Sequence, residues 1–331
     1  METIIGCVGP MTNSLADIHL FCRVALDYQP WRHEQSLVPL PWRPQPPSSL
    51  PPRLKIGILY HDGVVQPHPP VLAALKHAAA LLQNAGHELI PWDVTYLKQT
   101  FTWINKAYFL DSGSEYHAFL NPSTDPATPY MQFMLDTYAT KRYTLEESWQ
   151  LNVEHDALRA LHAEQLRKTG VDAILCPVAP SVAARHGEAR YWGYSAVWNA
   201  LDLPAVVMPV GVVSEGDTWE SVGVEAVRSS IDGEDVKDDP VGRMDEQYRS
   251  MFDEGPAKYK DAPTAVQLVG ERLQEERLMA IAEVLDGLLR GDTELVEGSG
   301  ASQSKKVNGH QNGNGDGLGV HGNGNGHGNH A

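Results

Sequence analysis

The residues that could carry chemistry are few and far apart. Ser195 lies in Gly193-Tyr-Ser-Ala-Val197, half of a nucleophile elbow. That motif holds a serine on a sharp strand-to-helix turn, which needs a small residue two places on, and Val197 is not small. An ordinary serine on a helix is the simpler expectation. Cys176 closes an apolar run before Pro177 with no basic neighbour to lower its pKa, so a buried structural thiol is expected rather than a nucleophile. His33-Glu34 and His87-Glu88 begin like a zinc-binding His-Glu-x-x-His helix but lack the second histidine. The run from Asp232 to Asp239 reads as a solvated acidic loop, without the closing glutamate of a twelve-residue calcium loop. No glycine-rich phosphate cradle occurs. No cofactor and no metal site are expected.

The elements around these residues follow from composition and spacing. The chain has 331 residues and a formal net charge of −16, against the basic footprint that nucleic acid or an anionic membrane would need. Three scattered cysteines, Cys7, Cys22 and Cys176, allow no disulfide framework. With no secretory signal and no apolar run of membrane-spanning length, a cytoplasmic location is expected. From Asn308 to Ala331 the sequence is dominated by Gly, Asn and His, including His310, His321, His327 and His330. Such a segment buries too little to offset its ordering entropy. A tail over residues 291–331 is therefore expected after one folded region, 1–290.

Within that region Ser14-Leu-Ala-Asp17 reads as a capping box opening a helix. Seven prolines between Pro39 and Arg53 predict an extended segment. A strand over 54–59, a helix opened by Pro69-Pro70 and a strand over 88–94 form a crossover unit. Thr144-Leu-Glu-Glu147 predicts a helix ending at Gly170, followed by a strand over 171–176. A helix over 191–201, strands over 205–213 and 265–269, and an amphipathic helix over 273–289 complete an α/β reading with a largely buried sheet.

Five segments in order resemble the amidase signature family, in its fungal acetamidase-like branch. They are Gly9-Pro-Met-Thr-Asn-Ser-Leu-Ala-Asp17; Pro30-Trp31 with Val38-Pro-Leu-Pro-Trp42, Leu54-Lys-Ile-Gly-Ile58, Asp62-Gly-Val-Val65 and Pro67-His-Pro-Pro-Val71; Asp172-Ala-Ile-Leu-Cys-Pro177; Tyr191-Trp192 through Trp198-Asn-Ala-Leu-Asp-Leu-Pro204 to Pro209-Val-Gly211; and Ala262-Pro-Thr-Ala-Val-Gln-Leu-Val-Gly270. The resemblance implies an α/β/α sandwich around a large mixed sheet and hydrolysis of a carboxylic amide to acid plus ammonia or amine. It also implies a Ser–Ser–Lys triad, in which a bridging serine passes the nucleophile's proton to a neutral lysine.

The family carries that triad in a segment preceding Gly-Pro-Met, and Gly9 stands near the first residue here. The remaining Ser-Ser pairs, Ser48-Ser49 and Ser229-Ser230, have no glycine flanks. The expectation is a truncated member with no catalytic residues of its own. Its partners would be a chain that supplies the catalytic half, a small amide substrate once completed, or further copies in a homo-oligomer. A non-catalytic binding or scaffold protein is the alternative. By the same resemblance Trp192, Tyr194, Trp198, Asn199 and Asp202 approach the substrate; the alternative for Tyr194 and Trp198 is a place in the core. Asn13 stands where many relatives carry Arg, which removes any ion pair built there.

Overall fold

The computed structural model describes residues 4, 6–120, 126–223 and 242–291. Ser229-Ser230, Asp232–Asp239 and the segment from 292 onward lie outside the described residues. Five strands form one sheet: β1 (Lys55–Ile58), β2 (Glu88–Pro91), β3 (Ala173–Pro177), β4 (Ala205–Val212) and β5 (Pro263–Val269). Their order is β2-β1-β3-β5-β4. β1 runs parallel to β2 and β3, while β5 is antiparallel to both β3 and β4, so the sheet is mixed.

Helix α2 (Pro69–Asn84) crosses from β1 to β2, as the Pro-Pro start and Gly86 predict. β2 stops at Pro91, short of the expected residue 94. Trp92 folds over β1 there, and a Cβ on Gly57 would meet its indole at 2.9 Å. Only glycine leaves room for that approach.

α1 (Leu15–Asp27) starts where Ser14 predicts, but its cap is half a box. Ser14 Oγ accepts from the Asp17 amide at 3.2 Å and donates to the Asp17 carboxylate at 2.8 Å. Aspartate is one methylene shorter than the usual Glu, and it meets the serine hydroxyl instead of the serine amide. In α6 (Leu145–Thr169) the box is complete: the Glu147 amide donates to Thr144 Oγ1 at 3.2 Å, and the Thr144 amide donates to Glu147 Oε2 at 2.9 Å. Gly170, at φ 63°, ends this helix in the left-handed region as expected.

α9 (Glu275–Arg290) and α2 cover one face of the sheet, against Ile56, Ile58, Leu175, Met208, Val266 and Leu268. α3 (Leu97–Tyr108), α6 and α7 (Gly193–Ala200) cover the other, against Ile174, Cys176 and Val269. The result is an α/β/α sandwich, as the resemblance implied. α4 (Ser114–Leu120) and α5 (Pro129–Tyr138) share a smaller apolar cluster round Phe109, and α8 (Gly242–Met251) buries Met244 and Tyr248 in the same core as α3 and α7. The proline-rich segment is a strap against α1 and α9: the Arg43 amide donates to Glu276 at 2.8 Å, and Trp42 meets His19 edge-on at 5.6 Å.

The cover is uneven at β4. Val206 and Met208 are buried against α9, while Ala205, Val207, Pro209 and Gly211 are exposed on the opposite side. A register shift between Pro209 and Gly211 interrupts the pairing with β5 beside the proline, which has no N–H for the ladder. Among the described residues no helix is long and apolar enough to cross a membrane.

Candidate functional site

The loop after β1 and the segment entering α7 meet in a buried polar knot. Asp62 is buried in the loop after β1, and its Oδ1 accepts from the amides of Val64 and Val65 at 2.9 and 3.0 Å. This is the turn that an Asp-Gly pair after a strand favours. Its Oδ2 accepts from the Tyr191 hydroxyl, and its own amide donates to the Tyr194 hydroxyl at 3.2 Å. Tyr194 in turn donates to the Val65 carbonyl at 2.7 Å. Gln267 of β5 closes the knot, donating to the Tyr194 carbonyl at 3.1 Å and to Cys176 Sγ at 3.3 Å.

Burial dominates the electrostatics. It raises the Asp62 carboxyl despite the Tyr191 bond, and it pushes the Tyr191 and Tyr194 phenols well above 10. Burial also pushes the Cys176 thiol up to about 12, so this cysteine stays protonated and inert, as expected from its neighbours. His68 is held down to about 4 by burial, with Nε2 2.6 Å from the Tyr248 carbonyl, where a neutral ring donates. The knot positions backbone. It offers no nucleophile beside a base.

Ser195 stands on the exposed side of α7, and its hydroxyl donates to the Trp192 carbonyl at 3.1 Å. The serine is spent on the first turn of its own helix. Ser49 likewise donates to the Pro46 carbonyl at 2.8 Å. Among the described residues no group of three His, Cys, Asp or Glu side chains is placed to hold a metal ion.

The five residues expected to approach substrate go to different places. Tyr194 and Trp198 are each 2% exposed and belong to the core behind α3 and α6. Asn199 is exposed on α7. Asp202, in the left-handed region at φ 61°, is exposed and pairs with Arg272 at 2.5 Å and Arg159 at 4.0 Å. Trp192 is half-buried in an aromatic wall: its ring stands edge-on to Phe101, Tyr138 and Tyr130 at 5.4, 5.6 and 6.3 Å. Beside it the Arg190 guanidinium lies 4.7 Å over the Phe133 ring. The five do not gather round one cavity among the described residues.

Asp62, Tyr191, Tyr130 and Tyr138 were not singled out by residue type. Asp62 and Tyr191 lie inside the quoted motifs, so their signal was present. Tyr130 and Tyr138 sit on α5, a short helix with no distinctive pattern.

Known proteins match this chain in sequence and in fold. The amidase family model matches residues 1–279. An amidase-type protein of Schizosaccharomyces pombe is 37% identical over 294 residues, covering 87% of this chain and 51% of that protein. The acetamidase of Aspergillus oryzae is 32% identical, covering 87% of this chain and 52% of its own length. Among solved structures, a fatty acid amide hydrolase superposes with a TM-score of 0.77 at 27% identity, covering 87% of this chain and 49% of that one. The chain thus spans about half the length of the relatives it matches. Ordered motifs, sheet architecture and a family match over most of the residues converge: the chain belongs to the amidase family.

Proposed function

We propose that this chain is the substrate-wall half of an acetamidase-like amide hydrolase, with the nucleophile, bridging serine and lysine supplied by polypeptide outside these 331 residues. The reaction is hydrolysis of a small carboxylic amide to the acid and ammonia or amine. The observation that carries the reading is the bare face of β4, which directly follows α7 and the motif segment around Trp192. A second body of the molecule seated on that face would bring its catalytic residues next to this wall.

In this reading the Trp192 wall receives the apolar acyl side, because aromatic edges with few polar groups suit a small amide. The Asp62 knot keeps the segment entering α7 at fixed distance from β1. The bridging serine relays the nucleophile's proton to the lysine, and backbone amides of the other half stabilise the oxyanion, worth roughly 10²–10³ in rate per donor.

The test is direct. Purified chain should hydrolyse acetamide or benzamide no faster than buffer. Co-expression with a polypeptide carrying the Gly-Gly-Ser-Ser-Gly-Gly segment and its lysine should restore serine-dependent turnover. Turnover by the chain alone overturns the division of labour, and failure of the two halves to co-purify overturns the assembly.

A further inference from the structure

α8 is tied to both segments that meet in the Asp62 knot, by bonds that do not involve Asp62. In its first turn Asp245 Oδ1 accepts from the Gln66 amide at 2.7 Å, and Arg249 Nε donates to the same carboxylate at 2.7 Å. Further along, the Tyr248 carbonyl accepts from His68, and the buried Tyr248 ring packs on His68 and Tyr191. Its hydroxyl reaches the second segment. Oη accepts from the amides of Arg190 and Tyr191 at 2.9 and 3.0 Å.

A hydroxyl oxygen can accept twice, and here both bonds come from consecutive amides. Two successive N–H groups held at one atom fix the course of the backbone at Arg190, as a nest of amides does round an anion. The next residue after this pair is Trp192. On its other side the Gly193 backbone lies so close to the Tyr191 hydroxyl that a Cβ would strike it, and that hydroxyl is bound to Asp62. The origin of the Trp192 side chain is therefore pinned from both directions. The edges of Phe101, Tyr138 and Tyr130 then hold its ring.

We propose that Tyr248 is a positioning residue for amide binding: through the amides of Arg190 and Tyr191 it sets where the Trp192 indole stands, and so which acyl group the wall admits. The proposal rests on the reading of Trp192 as the acyl wall. Tyr248 itself is too buried to touch a substrate. Phenylalanine in its place keeps the ring packing but leaves two amides without their acceptor. Buried amides do not stay unpaired without cost, so the backbone before Trp192 moves to find other partners. An indole displaced in an apolar wall changes the fit of acyl groups of different size, while the reacting atoms belong to the other half.

Tyr248→Phe tests this in two ways. In the full chain labelled with 5-fluorotryptophan, the fluorine resonance lost in Trp192→Phe identifies Trp192. Tyr248→Phe should shift or broaden that resonance and leave those of Trp42 and Trp103 in place. Asp245→Ala, which frees the first turn of α8 and keeps Tyr248, should move it too, by less. In enzyme completed by the catalytic half, Tyr248→Phe should change the ratio of kcat/KM between acetamide and benzamide by on the order of 10-fold, the low end of what one methylene decides in an apolar pocket. The change should fall on KM. Loss of folded protein alone lowers kcat for both amides alike and leaves each KM and the ratio where they were. In a Trp192→Ala background Tyr248→Phe should leave the ratio unchanged, because two residues that act through one another are not additive. A Trp192 resonance that stays in place, or one that moves no more than those of Trp42 and Trp103, overturns the proposal whether or not the halves assemble. In an active assembly, an unchanged ratio, or the same change without Trp192, overturns it and leaves the division of labour between the halves standing.

Discussion

Strands β3 and β4 are both apolar, yet only β3 is buried on both sides. In β3 Ala173 and Leu175 face α2 and α9, Ile174 and Cys176 face α3 and α7, and all five residues are buried. In β4 Val206 and Met208 are buried, while Val207 is 51% and Val212 60% exposed. An antiparallel edge with one wet face ordinarily alternates apolar with polar residues. From Ala205 to Val213 this chain has none that is polar. The edge also lacks the charges that usually discourage strand addition, and only Pro209 and the shift beside it interrupt the ladder. The difference teaches that β4 carries the sequence of an interior strand in the position of an edge.

The largest effect that separates the two strands lies at β3. Leu175→Ala should cost about 2–5 kcal/mol, as truncation of a fully buried leucine does. Urea unfolding measures it, and a loss no greater than that of a β4 variant would erase the contrast.

Acid should act next, and on the covered region alone. Burial holds His68 and His162 down to about 4, below the ordinary 6.5. Between those values the unfolded chain binds more protons than the folded one. Stability is therefore full above pH 6.5 and is lost as pH falls through about 4, by about 3 kcal/mol per histidine. Asp62 acts with the opposite sign: its raised carboxyl favours the folded state at low pH and offsets part of the loss. Urea midpoints at pH 7 and 4.5 should differ accordingly, and His162→Gln should flatten the profile. Equal midpoints for the unaltered chain would rule out this account.

On the bare side of β4 the expected effect on stability is small. Val207→Lys should change it by no more than about 0.5 kcal/mol, as surface substitutions do, while reducing light scattering on concentration. A loss of about 2 kcal/mol or more would mean that the face is covered in this chain. A similarly small effect belongs to the Asp202–Arg272 pair, roughly half exposed on both partners. Asp202→Asn should cost about 0–1 kcal/mol, since such pairs are screened and Asn tolerates a left-handed backbone.

How much was legible depended on whether the signal was local. α6 was readable at both ends, from a Thr144–Glu147 box and a closing Gly170. β4 and β5 were readable as apolar runs. α3 was not assigned, although Leu97, Phe101, Ile104 and Tyr108 keep helical spacing. Its N-cap is Tyr96, which makes no capping bond from its side chain. Among the site residues, the motif located the segment from Trp192 to Asp202, but spacing along a chain does not say which side of a helix faces solvent. Tyr194 points into the Asp62 knot, Trp198 into the core, and Asn199 outward, because one short helix turns through about 100° per residue.

The sequence by itself determined the family, the order of the elements and the caps of the long helix, since each rests on residue types within a few positions of one another. Tertiary structure decided two things. It joined Asp62 to Tyr191 and Tyr194 across 129 and 132 positions. It left one face of β4 bare. Both depend on which surfaces meet, and burial is a property of the neighbours that a residue acquires only when the chain has packed.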